Sequence, residues 1–205
     1  MQQEWFPQIN SDIFISHSHR DEKLAITFAG WLNAKFGLKC FIDSCIWGYG
    51  NKLLEIIDRK YCPNEKGGYD YDKRNVSTSH VHMMLSSALA MMIDKTECLF
   101  FLNTNNSSIS LDDIGRVENK TLSPWIYYEI GIARMIRIRV PQSHRKVFSK
   151  SLLLEGDEYL KIAYPLNINH LSELTLDNLI KWVENYSLKN REHPLDILYK
   201  LKSPS

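Results

Sequence analysis

The chain has 205 residues, 44% of them hydrophobic and 24% charged, which is ordinary for a soluble globular protein and long enough for one domain with a full core. Its 25 basic and 24 acidic residues nearly cancel, which argues against a nucleic-acid binder working by bulk charge. No apolar run approaches the ~20 residues that span a bilayer, and Met1 to Asn10 lack a cationic start followed by an apolar stretch, so neither a membrane segment nor a signal peptide is expected. Cys40, Cys45, Cys62 and Cys98 show no paired metal spacing, and reduced thiols in the cytoplasm are the expectation.

From the N-terminus, Asp12-Ile13-Phe14-Ile15-Ser16-His17 is short, apolar and rich in β-formers, which predicts a buried strand. It runs into the polar turn Ser18-His19-Arg20-Asp21. A helix follows, with Leu24, Ala25, Phe28, Trp31 and Leu32 at helical spacing, and Gly37 stops it. Lys39-Cys40-Phe41-Ile42-Asp43 reads as a second strand, parallel to the first through a right-handed crossover. Residues 44–51, with Trp47, Gly48, Tyr49 and Gly50, read as a loop, and a helix is expected from about Lys52 to Lys60. Residues 62–79 are polar, turn-rich and contain Gly67-Gly68; they read as an insertion. His80 to Asp94 is a strongly apolar helix whose methionines read as gap-filling core.

Glu97 to Thr104 is a third strand, its near-continuous apolar run marking burial on both faces. Residues 105–122 read as a long polar loop, a feature that is uncommon in compact domains and often functional. Arg137 to Val140 is a weaker fourth strand, Tyr159 to Ile168 a fifth, and Thr175 to Tyr186 an amphipathic helix. A short helix is expected at Pro194 to Leu201. The sum is one α/β domain, doubly wound, with a five-stranded parallel sheet flanked by helices: a core over 11–186, the insertion at 62–79 and an extension over 187–205.

One stretch stands out chemically. Ser123-Pro124 opens a helix in the manner of a cap followed by a proline at the first position. From there to Ala133 every residue is apolar, aromatic or small except Glu129. Trp125, four residues earlier, shares its helical face. The carboxyl lies beyond the first turn, where the helix dipole fades, so the dipole does not explain it. In doubly wound sheets ligands bind beyond the carboxyl ends of the strands, and His17 to Arg20, Asp43 to Gly50 and Asn103 to Ser123 all leave such ends.

These features in this order resemble a TIR (Toll/interleukin-1 receptor) domain of the stand-alone bacterial type, with a flavodoxin-like fold. Asp12 to His17 is similar to the first TIR box, Cys40 to Asp43 to the second strand, and 44–51 to the BB loop, without the proline of many animal members. Ser123 to Glu129 resembles the helix bearing the glutamate of TIR enzymes that cleave NAD, where a tryptophan commonly stands one turn earlier. The insertion has no counterpart in compact members. The resemblance implies Glu129 as the catalytic carboxylate and NAD⁺ as substrate rather than cofactor. It implies release of nicotinamide with ADP-ribose, a cyclic isomer or a conjugate. It also implies self-association through TIR surfaces, and a product read by a separate effector, as in anti-phage systems such as Thoeris.

The residue types suit that chemistry. A cationic pyridinium leaves without needing a proton, so the difficulty is the positive charge developing on ribose, which one carboxylate can stabilise. Trp125 offers a flat wall; Ser16, His17 and Arg20 are expected to hold ribose or phosphate; Asp43 and Trp47 are expected to wall the pocket. Plainer readings stand beside these: Ser16 capping a strand, Arg20 paired with Asp21 or Glu22, Trp47 buried beneath its loop, Arg134 and its neighbours a solvated rim. No metal site is expected, because His17/His19 and His80/His82 do not face one another on a helix. The rival function is a non-catalytic TIR module that binds other TIR domains, which has no chemical use for Trp125 with Glu129.

Overall fold

The computed structural model of the chain describes residues 2–47, 50–113, 116–136, 163–186 and 192–202. A short helix α1 (Gln2–Trp5) precedes the strand β1 (Ile13–Ser16), all four of whose residues are buried, as the apolar run requires. Helix α2 (Glu22–Phe36) ends at Gly37, whose φ of 70° is the left-handed cap that a side chain disfavours. Strand β2 (Cys40–Phe41) leads directly into a single-turn helix α3 (Asp43–Ile46), then α4 (Gly50–Tyr61) and α5 (Tyr71–Lys95). Strand β3 (Cys98–Phe101) follows, then strands β4 (Ile109–Asp113) and β5 (Arg116–Thr121), helix α6 (Pro124–Met135), strand β6 (Tyr164–Pro165), and helices α7 (Leu176–Asn185) and α8 (Pro194–Lys202).

The parallel sheet has the order β2-β1-β3, with Ile13 opposite Cys40 on one side and Cys98 on the other. Successive residues of β1 serve opposite layers. Ile13 and Ile15 join Ala25, Leu32, Trp182, Leu195 and Leu198 beneath α2, α7 and α8. Phe14 joins Phe41, Leu53, Val81, Leu89 and Met92 beneath α4 and α5, and Trp125, Tyr128 and Ile132 of α6 pack on that same cluster. The fold is therefore α/β with helices on both faces. The C-terminal helix expected in the extension is integral to the core: Trp182 stacks on Phe36 at 4.1 Å and donates its indole N–H to the Pro194 carbonyl at 2.8 Å.

Three expectations are corrected. The parallel sheet among the described residues has three strands, not five. The fifth expected strand is represented by β6, which pairs antiparallel with β5 (Lys120 opposite Pro165, Thr121 opposite Tyr164) in a separate sheet of order β4-β5-β6; the fourth, Arg137 to Val140, lies outside the described residues. Second, the polar stretch 105–122 contains the β4–β5 hairpin, in register from Ile109 opposite Lys120 to Asp113 opposite Arg116. Backbone pairing, which composition does not reveal, organises it. Third, the insertion divides. Residues 62–70 make a tight turn bridged between Pro63 and Tyr69, but Tyr71 onward is the first third of α5. Asp70 caps that helix by accepting from the Lys73 amide at 3.0 Å. Its early turns bury little but Ser77 and Val81, so no apolar stripe announces them. They are held by a polar clasp instead: Asp58 of α4 is buried and accepts from Ser77 Oγ and, at 2.7 Å, from Arg74 Nε.

Trp47 sits at the end of α3 and is 3% exposed. Its ring meets Phe6 at 5.6 Å and Phe41 at 5.0 Å edge-on, and its N–H reaches the Pro7 carbonyl at 2.9 Å. The ring anchors the N-terminal segment to the sheet; it does not wall a pocket. Trp47→Ala is accordingly expected to cost ~3–5 kcal/mol of folding stability, the scale of a large core truncation, in a urea titration. A cost below ~1 kcal/mol would return Trp47 to the surface.

Candidate functional site

The C-terminal ends of β1 and β2 bring their next residues together under α6. Ser16 is the last residue of β1, and its parity puts it on the Phe14 side of the sheet, the side on which α6 packs. His17 follows, buried, its Nδ1 lying 3.2 Å from the Ile15 carbonyl. A carbonyl only accepts, so Nδ1 is assigned as the donor in this contact. Ser44 Oγ stands 3.4 Å from Nε2 of the same ring. Asp43, two residues beyond β2, has its Oδ1 at 4.0 Å from His17 Nδ1 and a side chain 34% exposed. These contacts lock the imidazole between two strand ends.

The turn after β3 is tied to the turn after β1. Asp21 is buried; its carboxylate accepts from Thr104 Oγ1 and, at 2.7 Å, from Asn106 Nδ2. Ser107 Oγ closes the same turn by donating to the Leu102 carbonyl at 2.7 Å. Asp21 is thus no partner of Arg20, which projects exposed from the short 3-10 turn His19–Asp21. Asp21 and Ser44 are the site-shaping residues that pattern reading missed. The signal available was the run Asn103-Thr104-Asn105-Asn106-Ser107-Ser108, side chains that hydrogen-bond locally when the backbone turns.

Glu129 enters from α6. Ser123 caps that helix, accepting from the Ile126 amide at 3.2 Å, and Pro124 takes its first turn, as the sequence predicts. Ile126 and Ile130 are buried against Leu99, Phe101 and Leu166, while Trp125, Tyr128 and Ile132 pack on the α4–α5 layer. Glu129 lies between these two apolar contacts and is 3% exposed. Burial pushes its carboxyl well above the ordinary glutamate value of 4.5, the nearby Asp43 carboxylate pushes it further, and the Ser16 hydroxyl opposes both. That hydroxyl is 1% exposed and, though beside the carboxyl, makes no hydrogen bond of normal length and angle.

Of the sequence-predicted residues, then, Ser16, His17, Asp43 and Glu129 converge. Trp125 is half-buried one helical turn before Glu129, its ring edge-on to His82 of α5 at 5.8 Å, so it lines the α5–α6 seam. Arg20 and Trp47 are not part of the cluster. An apolar groove of about 340 Å³ between α2 and α7, lined by Phe28, Trp31, Leu179 and Val183, belongs to the opposite layer and offers little polar chemistry. Cysteine nucleophiles at the sheet are disfavoured: burial pushes the Cys40 and Cys98 thiols up to about 12. Among the described residues no three His, Cys, Asp or Glu side chains gather in a metal-binding group, and no helix is long and apolar enough to cross a membrane.

No family model, curated protein or solved structure matches the chain.

A carboxyl whose proton affinity rises on folding stabilises the fold below the ordinary glutamate range and loses that contribution as pH climbs through its raised value. Glu129→Gln keeps the shape and removes the titration. It should therefore match the wild type near pH 4.5 and exceed it increasingly toward pH 8 in thermal unfolding, on the scale of ~2–4 °C for each ~1 kcal/mol in a domain of this size. A variant less stable than wild type at pH 8 would mean that Glu129 is ionised and well solvated.

Proposed function

We propose that the chain is a TIR-type enzyme that cleaves the bond between nicotinamide and ribose in NAD⁺, with Glu129 as the catalytic carboxylate. The observation that carries this reading is a nearly buried glutamate at the carboxyl edge of a parallel sheet, beside a second carboxyl and an unpartnered hydroxyl. Perturbed, desolvated carboxyls of this kind cluster at functional sites. A purely adhesive module gains nothing from keeping one.

The chemistry follows from charge. Nicotinamide departs with the bonding electron pair and is neutral once released, so no acid is needed at the leaving group. The ribosyl carbon is left electron-poor, and an ionised Glu129 in a water-poor site stabilises it strongly because little solvent screens the attraction. Water then gives ADP-ribose; a hydroxyl or ring nitrogen of the same or another molecule gives a cyclic or conjugated product. In this reading Asp43 and His17, 4.0 Å apart, would contact the ribose, and Trp125, on the α5–α6 seam, would border the approach. We place the reaction in the cytoplasm, in anti-phage defence, with a separate effector reading the product.

Exposure of 3% is too little for a substrate to touch Glu129, so the residues over it must shift before catalysis. We assign that opening to self-association with a neighbouring copy. Water exclusion within one chain is already provided, so the neighbour acts by opening the site.

Nicotinamide release from NAD⁺ by the purified protein tests the central reading. Glu129→Gln should lose ~10²-fold or more, the scale of one preorganised electrostatic group, with circular dichroism unchanged. Equal rates for variant and wild type overturn it. Self-association requires specific activity to climb with protein concentration over about a hundredfold range. A flat profile from a monomer under assay conditions removes that part of the proposal.

A further inference from the structure

A second pair of reactive groups meets where β1 and β2 end. Ser44, in the single-turn α3, places its Oγ 3.4 Å from His17 Nε2. On the other side of the ring, Nδ1 donates to the Ile15 carbonyl at 3.2 Å. Asp43 Oδ1 stands 4.0 Å from that nitrogen, beyond hydrogen-bond reach, so the backbone carbonyl is what fixes the ring. The base form of His17, with its proton on Nδ1, therefore turns a lone pair toward a hydroxyl. A hydroxyl beside a base, with the base oriented by a third group, is the arrangement that activates serine. Its hydrogen bond is commonly long until a ligand is bound.

Burial divides the pair as that chemistry requires. The His17 side chain is 2% exposed, so protein and not solvent holds the ring, whereas Ser44 is half-buried and keeps an open side. The neighbouring thiol does not compete. Burial and the Glu22 carboxylate push Cys45 up, the Ser44 hydroxyl opposes them, and Asp43 adds to the rise, so thiolate is scarce. If the contact served packing alone, Ser44 would be as inert as any surface serine.

We propose that Ser44 is a nucleophile activated by His17, and that it accepts acyl groups from small carboxylic esters. The atoms balance within the pair. Ser44 Oγ bonds to the ester carbonyl carbon while its proton passes to His17 Nε2. As the tetrahedral adduct collapses, the bond from that carbon to the alcohol oxygen breaks, and the departing oxygen takes the proton from Nε2. The products are the free alcohol and acyl-Ser44. Water repeats the sequence: its proton goes to Nε2 and then to Ser44 Oγ as the acyl bond breaks, which releases the carboxylic acid. No ribosyl bond is involved, so the reaction stands apart from the chemistry at Glu129.

The test uses the whole chain without NAD⁺. A fluorophosphonate probe marks activated serines, because Oγ bonds to phosphorus and fluoride leaves with the electron pair of its bond. Expected is labelling that peptide mass spectrometry maps to Ser44 in the folded protein, lost on unfolding in urea and absent in Ser44→Ala. His17→Ala should label ~10²-fold more slowly or worse, the scale of one general base. Added imidazole should restore part of that rate by occupying the space of the missing ring, a rescue that a packing role does not give. Circular dichroism checks the fold of His17→Ala, and should it fail to fold, the folded and urea-unfolded wild type decide the matter. Release of p-nitrophenol from p-nitrophenyl acetate, dependent on Ser44, tests the acyl step. No label at Ser44, equal labelling of folded and unfolded chains, or an undiminished rate in folded His17→Ala each overturns the proposal. Labelling without Ser44-dependent ester cleavage overturns the acyl acceptor. Nicotinamide release, assayed separately, keeps the two readings apart: labelling without release leaves the serine and removes the NAD⁺-cleaving enzyme, and release without labelling does the reverse.

Discussion

A carboxyl group confined where water scarcely reaches is the constraint around which this molecule is arranged. Ionising Glu129 in that position is unfavourable, and something must hold α6 down regardless. The helix does so from both sides. Ile126 and Ile130, fully buried against Leu99, Phe101 and Leu166, contribute on the order of 1.5–3 kcal/mol each by area alone. Trp125, Tyr128 and Ile132 add a second apolar contact with the α4–α5 layer. Glu129 is therefore carried into position by its neighbours, and its own chemistry is free to be costly. That division between residues that anchor and a residue that is anchored is typical of functional sites, where stability is given up locally and recovered nearby.

How much of this was legible in the sequence depended on whether packing or hydrogen bonding organised each element. Where a buried apolar period existed, reading succeeded: β1 from Ile13 to Ser16, α2 up to Gly37, α6 from its Ser123-Pro124 start, α7 and α8. Where polar contacts organise the chain, it failed. The first turns of α5 depend on Asp70, Asp58, Arg74 and Ser77, and no hydrophobic stripe betrays them. The β4–β5 hairpin depends on backbone pairing between polar segments, and Tyr164–Pro165 joins it instead of the parallel sheet. Glu129 itself was legible because a single acid in an apolar helix breaks a pattern.

The two tryptophans show why residue type alone does not assign a role. Each lies within a short distance in sequence of a site residue, Trp47 after Asp43 and Trp125 before Glu129. Trp47 follows a one-turn helix that rotates it away from the strand end, and its ring sinks between Phe6 and Phe41. Trp125 begins α6 and faces α5, where His82 meets its edge. Indole is large enough that local backbone geometry decides whether it becomes core or surface, and that geometry is set by contacts distant in sequence, such as Pro7 for Trp47.

The position of Ser16 follows from the pleat. Phe14 and Ser16 face the same layer, and one pleat takes the side chain from the floor of the core to the end of the strand. At the floor an aromatic ring excludes water; at the rim a hydroxyl waits beside a carboxyl. Slipping β1 by one residue would send Ile15 toward α6 and Ser16 toward α2, leaving a hydroxyl among Ile13's present neighbours and a methyl group against Glu129. The register is protected against that slip from both sides, since β2 and β3 each fix it through Ile13 and Phe14. Sheet register is usually discussed as a matter of stability, but here it also sets the chemistry: the pairing that buries Phe14 is the same pairing that presents an unsatisfied hydroxyl to the one carboxyl in the helix above it.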